Sequence, residues 1–161
     1  MRNLNFAKTK FAAVAGVALA ALIGGTAAAG EIYPDGAFSD YSANLDNGKT
    51  LFHASACASC HGLADQLDTL AGGLKISTKL GTFYTPNITP NKEHGIGNWS
   101  NARFLNAVLN GTKDDGSKYF GSIFPYAAFA KMSPEEALDI KAYIGTLPES
   151  DAPSKEHSVS F

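Results

Sequence analysis

Two cysteines and a histidine lie within five consecutive residues, in the segment SACASCHGLA. Cys57 and Cys60 are the only cysteines of the 161-residue chain, and His61 follows the second directly. A disulfide between them would close a very short loop and constrain little of the unfolded chain. A thioredoxin-like pair needs a βαβ context, and zinc needs ligands beyond His53 and His61. The C-x-x-C-H spacing is the signature of covalent c-type haem attachment, with His61 as the proximal iron ligand.

A second axial ligand to such an iron has to come from elsewhere in the chain. The chain has two methionines, Met1 and Met132, and Met132 directly precedes a well-marked helix start. A side chain in such a loop can be aimed at a fixed point, which favours a thioether ligand at Met132. Two alternatives stay open: Met132 packs on the first helical turn as a hydrophobic staple, or His94 occupies the distal position.

The first 29 residues have the layout of a cleavable export signal. Three basic residues and no acid precede an apolar run over residues 11–23, and Ala27 and Ala29 form an A-x-A site. We expect cleavage after Ala29 and a periplasmic location, with a retained anchor helix as the alternative. The remainder would hold ten basic and fifteen acidic residues, a net charge of about −5. Such an acidic domain is a poor partner for nucleic acid or anionic lipid.

The elements that must position these groups are predicted to be helices. One begins near Leu45 and carries the haem motif, a second runs from an N-cap at Ser100 to Gly111, and a third follows the Ser133 N-cap to about Leu147. Residues 71–90, with β-branched and aromatic residues between Gly and Pro, predict a short irregular hairpin or loop. The sequence therefore predicts an all-α fold wrapped around one haem, with an export signal at 1–29, the domain at 30–148 and a polar tail at 149–161.

Four further residues are candidate haem contacts: Asn87, Trp99, Arg103 and Tyr126. The Trp99 indole N–H and the Arg103 guanidinium could each reach a haem propionate, although a core aromatic and a surface arginine are equally ordinary roles. Asn87 could add a hydrogen bond, or it could only shape the turns around the neighbouring prolines. Tyr126 belongs to an aromatic-rich loop able to cover a large apolar ligand.

Four segments together are more specific than C-x-x-C-H alone: GKTLFHASACASCHG, AGGLKISTKLGTFYTPNITP, HGIGNWSNARFLNAVLNGT and FPYAAFAKMSPEEALDIKAYIGTLP. From about Asn44 to Pro148 the chain resembles class I c-type cytochromes. It resembles more closely the haem domains of cytochrome subunits of periplasmic alcohol and gluconate-type dehydrogenases. The resemblance implies a class I cytochrome c fold and a distal ligand at Met132 rather than His94.

The expected function is one-electron transfer by a carrier that is not itself an enzyme. Its electron donor would be a periplasmic dehydrogenase and its acceptor an oxidase or another cytochrome, with membranes met only by docking to a membrane complex. The single C-x-x-C-H predicts one covalent haem c, and the chain length favours a free shuttle over a bound subunit. The alternatives are a peroxidase-like or thiosulfate-oxidising haem enzyme and a gas-binding sensor, which both need an open or labile distal position.

Overall fold

The computed structural model describes residues 32–62 and 69–159, so the predicted export signal lies outside the described residues. Within these ranges the chain forms five α-helices and three short strands. In chain order they are α1 (Leu45–Ala54), α2 (Cys57–His61), β1 (Lys75–Thr78), β2 (Gly81–Tyr84), α3 (Asn101–Asn110), α4 (Tyr126–Phe129), α5 (Pro134–Ile144) and β3 (Ser158–Val159). No helix within the described ranges is both long and apolar enough to cross a membrane.

Helices α1 and α5 pack closely against each other, and Gly48 makes this approach feasible. Gly48 is buried in α1, and a Cβ built there would overlap the backbone carbonyl of Asp139 in α5. The Asp139 carboxylate then ties the start of α1 to α5. It accepts hydrogen bonds from the Tyr41 hydroxyl at 2.9 Å, the Asn44 N–H at 2.7 Å and the Asn47 side-chain amide at 2.8 Å.

A single hydrophobic cluster lies between α1, α3 and α5. Its buried members come from these helices and from the loops that precede α3: Phe52, Leu70, Ile96, Phe104, Leu105, Leu109, Ala137, Leu138, Ile140 and Ile144. Cys57, Trp99, Phe129 and Met132 pack against this cluster while remaining partly exposed. The core therefore connects the C-x-x-C-H segment to the loop before the last helix.

The predicted helix ends of α3 and α5 are largely confirmed. Ser100 caps α3 through a hydrogen bond from the Arg103 N–H, and Gly111 ends it in the left-handed conformation with φ +61°. Ser133 and Glu136 form the predicted capping box. Helix α5 ends at Ile144, however, three residues before the predicted end.

The predicted hairpin forms as strands β1 and β2, which pair antiparallel with Ile76 opposite Phe83. Strand β3 then pairs with β2, with Gly81 opposite Val159. A three-stranded sheet is thus present in addition to the helices, and a purely all-α description leaves it out. The C-terminal segment, expected to be a polar tail, folds back onto the domain; we call residues 149–159 the C-terminal strap.

Candidate haem-attachment site

Helix α2 presents the two cysteines one helical turn apart. The chain enters it through Ala56, which has a left-handed backbone with φ +54°. That conformation costs a non-glycine residue roughly 1–2 kcal/mol, and it sets α2 apart from the end of α1. Both thiols are free; Cys57 is half-buried and Cys60 is exposed. Within the described ranges, no three His, Cys, Asp or Glu side chains cluster as a metal site.

The Cys57 thiol is strongly biased toward its protonated form. Burial is the main cause, and the neighbouring Cys60 adds to it; together they outweigh a hydrogen bond to the Cys57 backbone and raise the pKa of Cys57 to about 11. A thiol that stays protonated at neutral pH is a weak nucleophile and a weak metal ligand. Burial therefore keeps Cys57 as a neutral thiol at neutral pH.

His61 is oriented by a backbone carbonyl. Its Nδ1 lies 2.8 Å from the carbonyl oxygen of Pro86. Because a carbonyl only accepts, Nδ1 must carry the proton, and Nε2 is left with its lone pair free. Burial lowers the pKa of His61, opposed in part by the hydrogen bond to Pro86. The imidazole is thus neutral at pH 7 and in the tautomer that an iron ligand requires.

The Pro86 carbonyl is itself held in place by a close approach of backbone. Gly72 has φ +71°, and a Cβ at Gly72 would overlap the carbonyl group of Pro86. The Gly72 N–H donates to the His61 carbonyl at 2.8 Å, and the Gly73 N–H donates to the Thr85 carbonyl at 2.8 Å. Sequence reasoning missed both Pro86 and Gly72 as parts of the site. A backbone acceptor has no side-chain signature, although the glycine pair before a proline-rich segment hints at a close approach.

Met132 lies in the turn between α4 and α5. Its N–H donates to the Phe129 carbonyl at 2.9 Å, and the next residue, Ser133, is the N-cap of α5. The Met132 side chain is partly exposed and packs against the same hydrophobic cluster as Cys57. Its backbone is therefore fixed by a capped helix start, as predicted, while its role as a ligand stays a prediction.

Trp99 and Arg103 stack on each other beside a cleft of about 280 Å³. The guanidinium carbon of Arg103 lies 4.1 Å from the centre of the Trp99 ring, and the guanidinium pairs with Asp114 at 2.8 Å. The Arg103 Nε is buried and makes no hydrogen bond to any residue that the structure describes. Arg103 thus places its cation beside the cleft, with a buried Nε that has no partner among the described residues.

The other predicted contacts lie in different surroundings. Tyr126 packs its ring against the backbone of Gly111, where an added Cβ would overlap it. His94 is partly exposed in a turn, where its N–H donates to the Asn91 side chain at 2.8 Å. Asn87 is buried, and its side-chain amide bonds to the C-terminal strap.

A helical domain with a C-x-x-C-H helix and a carbonyl-oriented histidine defines a haem protein of the cytochrome c class. The chain belongs to the cytochrome c family, whose model matches residues 45–148. Membership implies a covalently bound haem c. The residues present fit that group: two free thiols lie one turn apart, the hydrogen bond to Pro86 leaves Nε2 as the unprotonated nitrogen of His61, and the buried Nε of Arg103 has no partner among the described residues.

The chain is also similar to longer proteins. A diheme cytochrome c-type protein of Cereibacter sphaeroides is 38% identical over 77% of this chain and 43% of its own length. The fructose dehydrogenase cytochrome subunit of Gluconobacter japonicus is 36% identical over 73% of this chain and 24% of its own length. The gluconate 2-dehydrogenase cytochrome c subunit of Pantoea cypripedii is 35% identical over 72% of this chain and 27% of its own length. The chain thus spans less than half the length of these relatives.

Proposed function

We propose that this chain is a periplasmic mono-haem cytochrome that carries single electrons from a dehydrogenase to an oxidase or another cytochrome. The observation that carries the proposal is the 2.8 Å hydrogen bond from His61 Nδ1 to the Pro86 carbonyl. This bond fixes the tautomer and the ring orientation of the proposed proximal ligand.

Each residue of the site has a distinct role in this proposal. Bound haem c supplies a one-electron iron couple. Cys57 and Cys60 would hold the porphyrin edge through two thioethers, and His61 and Met132 would fill the two axial positions. A site with both positions filled by protein has no room for a substrate on the iron, which favours a carrier over an enzyme.

Arg103 and Trp99 would receive the propionates. The Arg103 guanidinium is held by its stacking on Trp99 and its ion pair with Asp114, and its Nε is unused among the described residues. A carboxylate in the adjacent cleft would gain charge-assisted hydrogen bonds without a large side-chain movement. Asn87 and Tyr126 would then support the haem pocket by holding neighbouring backbone in place. They would not themselves contact the haem directly.

The names of the relatives and the charge of the chain support the proposed partners. The relatives named above include cytochrome subunits of fructose and gluconate dehydrogenases. Removal of residues 1–29 would leave a net charge of about −5, which suits a partner with a basic docking surface. Cys60 is exposed, so the haem edge attached to it would lie at the surface, where a small and transient interface suffices for electron transfer.

The test is a set of absorption spectra of the purified holoprotein, first oxidised and then reduced with and without carbon monoxide, for the wild type, Met132→Ala and Lys131→Ala. Lys131 is the exposed neighbour of Met132 and serves as the matched control. We expect the wild type and Lys131→Ala to ignore the gas and to show the thioether-to-iron band at the red end of the ferric spectrum. Met132→Ala should lose the band and bind carbon monoxide.

Two results would contradict the proposal. Carbon monoxide binding by the wild type would reveal an open or labile position, and a haem enzyme or gas sensor would then be the better description. Retention of the thioether band in Met132→Ala would exclude Met132 as the ligand.

A further inference from the structure

The C-terminal strap is bonded to the segment that holds the proximal histidine. Both N–H groups of the Asn87 side-chain amide are donated to it, one to the Ser150 carbonyl and one to the Ala152 carbonyl, each at 2.9 Å. The Asn87 backbone N–H donates to the Ser154 hydroxyl at 3.0 Å. Three hydrogen bonds from one residue thus fix a segment that sequence analysis predicted as a polar tail.

The Asn87 end of these bonds is buried, and further hydrogen bonds support the segments on both sides. Asn87 is 3% exposed, and its Oδ1 accepts from the Thr89 N–H at 2.9 Å. The Ser150 N–H donates to the Thr89 hydroxyl at 3.3 Å. At the other end of the strap, the Tyr84 N–H donates to His157 Nδ1 at 3.3 Å. Buried and fully satisfied amides of this kind hold one backbone geometry firmly.

One peptide group connects the strap to His61. The Pro86 carbonyl and the Asn87 N–H belong to the same planar peptide unit. Its oxygen accepts from His61 Nδ1, and its N–H donates to Ser154. A peptide that donates at its nitrogen is polarised and becomes a stronger acceptor at its oxygen. The Ser154 hydroxyl therefore acts on the His61 hydrogen bond from the opposite side of this peptide.

We propose that the C-terminal strap positions and tunes the proximal histidine, with Ser154 and Asn87 as positioning residues; this rests on the function proposed above. A stronger acceptor at Nδ1–H makes the imidazole a better electron donor to its metal. A better donor favours the oxidised iron and lowers the midpoint potential. Loosening the strap therefore raises the potential of the bound haem.

The experiment compares the wild-type holoprotein with Ser154→Ala, Ser154→Thr and Ser158→Ala. Ser158 is an exposed serine of the same strap, in β3, and is the matched control. The midpoint potential is measured by spectroelectrochemistry, and the His61 Nδ1–H resonance is followed by NMR in the ferrous state. We expect Ser154→Ala to raise the equilibrium constant for reduction about threefold or more, where a tenfold change corresponds to about 59 mV.

The NMR signal separates tuning from a merely structural role. In Ser154→Ala the Nδ1–H resonance should move upfield, because its hydrogen bond weakens. Ser154→Thr, which keeps the hydroxyl, should restore the wild-type potential, and Ser158→Ala should match the wild type in both measurements.

The proposal and the function beneath it fail in different ways. A wild-type protein without covalent haem, or with a proximal ligand other than His61, would overturn the proposed function and this inference together. If Ser154→Ala shows a normal haem c spectrum with the potential and the Nδ1–H shift of the wild type, only the proposed tuning role of the strap would be overturned.

Discussion

Asp139 is a carboxylate with only 3% of its surface exposed, held between α5 and the entry to α1. Burial by itself would raise its pKa, but hydrogen bonds from Asn47, Asn44 and Tyr41 outweigh it and lower the pKa of Asp139 below 3.8. The hydrogen bond between Tyr41 and Asp139 has the opposite effect on the pKa of Tyr41. Burial and then the hydrogen bond to Asp139 raise the pKa of Tyr41 to about 12. At neutral pH, Asp139 therefore stays ionised and Tyr41 stays protonated. These are the two forms that make the hydrogen bond between them.

A group with a lowered folded-state pKa stabilises the fold above its unfolded pKa and loses this contribution as the pH falls through the folded value. The free energy of unfolding should therefore fall as the pH is taken from about 4 downward. Asp139→Asn should remove part of that slope and cost about 1–3 kcal/mol at pH 7, since an amide cannot accept all three bonds.

Urea unfolding of the holoprotein at a series of pH values checks this expectation. Asp35→Asn, a substitution at an exposed residue, is the matched control and should retain both the stability and the slope of the wild type. An Asp139→Asn variant with the wild-type slope would show that other carboxylates govern acid unfolding.

The individual site residues differ in how far the sequence could predict them. The roles of Cys57, Cys60 and His61 could be predicted from their spacing alone, because covalent haem attachment requires that spacing. The Pro86 carbonyl could not be predicted, because every residue carries such a carbonyl and only the folded path brings this one to His61. Asn87 was predicted as a haem contact, and the structure shows its amide bonded to the strap. Whether it also contacts haem stays a prediction.

At the scale of elements, the packing of α1 on α5 depends on the absence of a side chain at Gly48. A Gly→Ala change within a helix normally stabilises by about 0.5–1 kcal/mol. At Gly48 the added Cβ would overlap the Asp139 backbone, so Gly48→Ala should instead destabilise by about 1–3 kcal/mol or more. Because α1 leads directly into the C-x-x-C-H helix, the haem yield should fall as well.

Chemical denaturation of the holoprotein measures this change, with Lys49→Ala as the control at the exposed neighbouring position of α1. Lys49→Ala should stay within about 0.5 kcal/mol of the wild type. A Gly48→Ala protein as stable as the wild type would mean that the two helices can separate without cost.

The elements themselves were predictable where local rules decide them. Ser100, Gly111 and Ser133 mark helix ends because a cap needs only its own neighbours along the chain. The pairing of β2 with β3 was not predictable. It joins residues far apart in sequence, and two residues of strand carry too little pattern to reveal their partner.

At the scale of the whole molecule, the proposed location can be tested by the N-terminus of the exported protein. The layout of residues 1–29 predicts cleavage after Ala29, so the periplasmic fraction should contain protein that begins at Gly30. Intact mass should then exceed the mass of the cleaved polypeptide by one covalent haem. N-terminal sequencing and mass spectrometry of the same sample check both expectations. An intact Met1 in the membrane fraction would instead indicate a retained anchor.

The strap also gives the molecule an order of assembly. Asn87 and Ser154 are 67 residues apart, and a chain that is made and exported from its N-terminus presents the Cys57–His61 segment well before Ser154 is available. The hydrogen bonds between Asn87 and the strap can form only after the Cys57–His61 segment has been made, so the support that the strap gives to the Pro86 carbonyl is the last contact of this site to be completed.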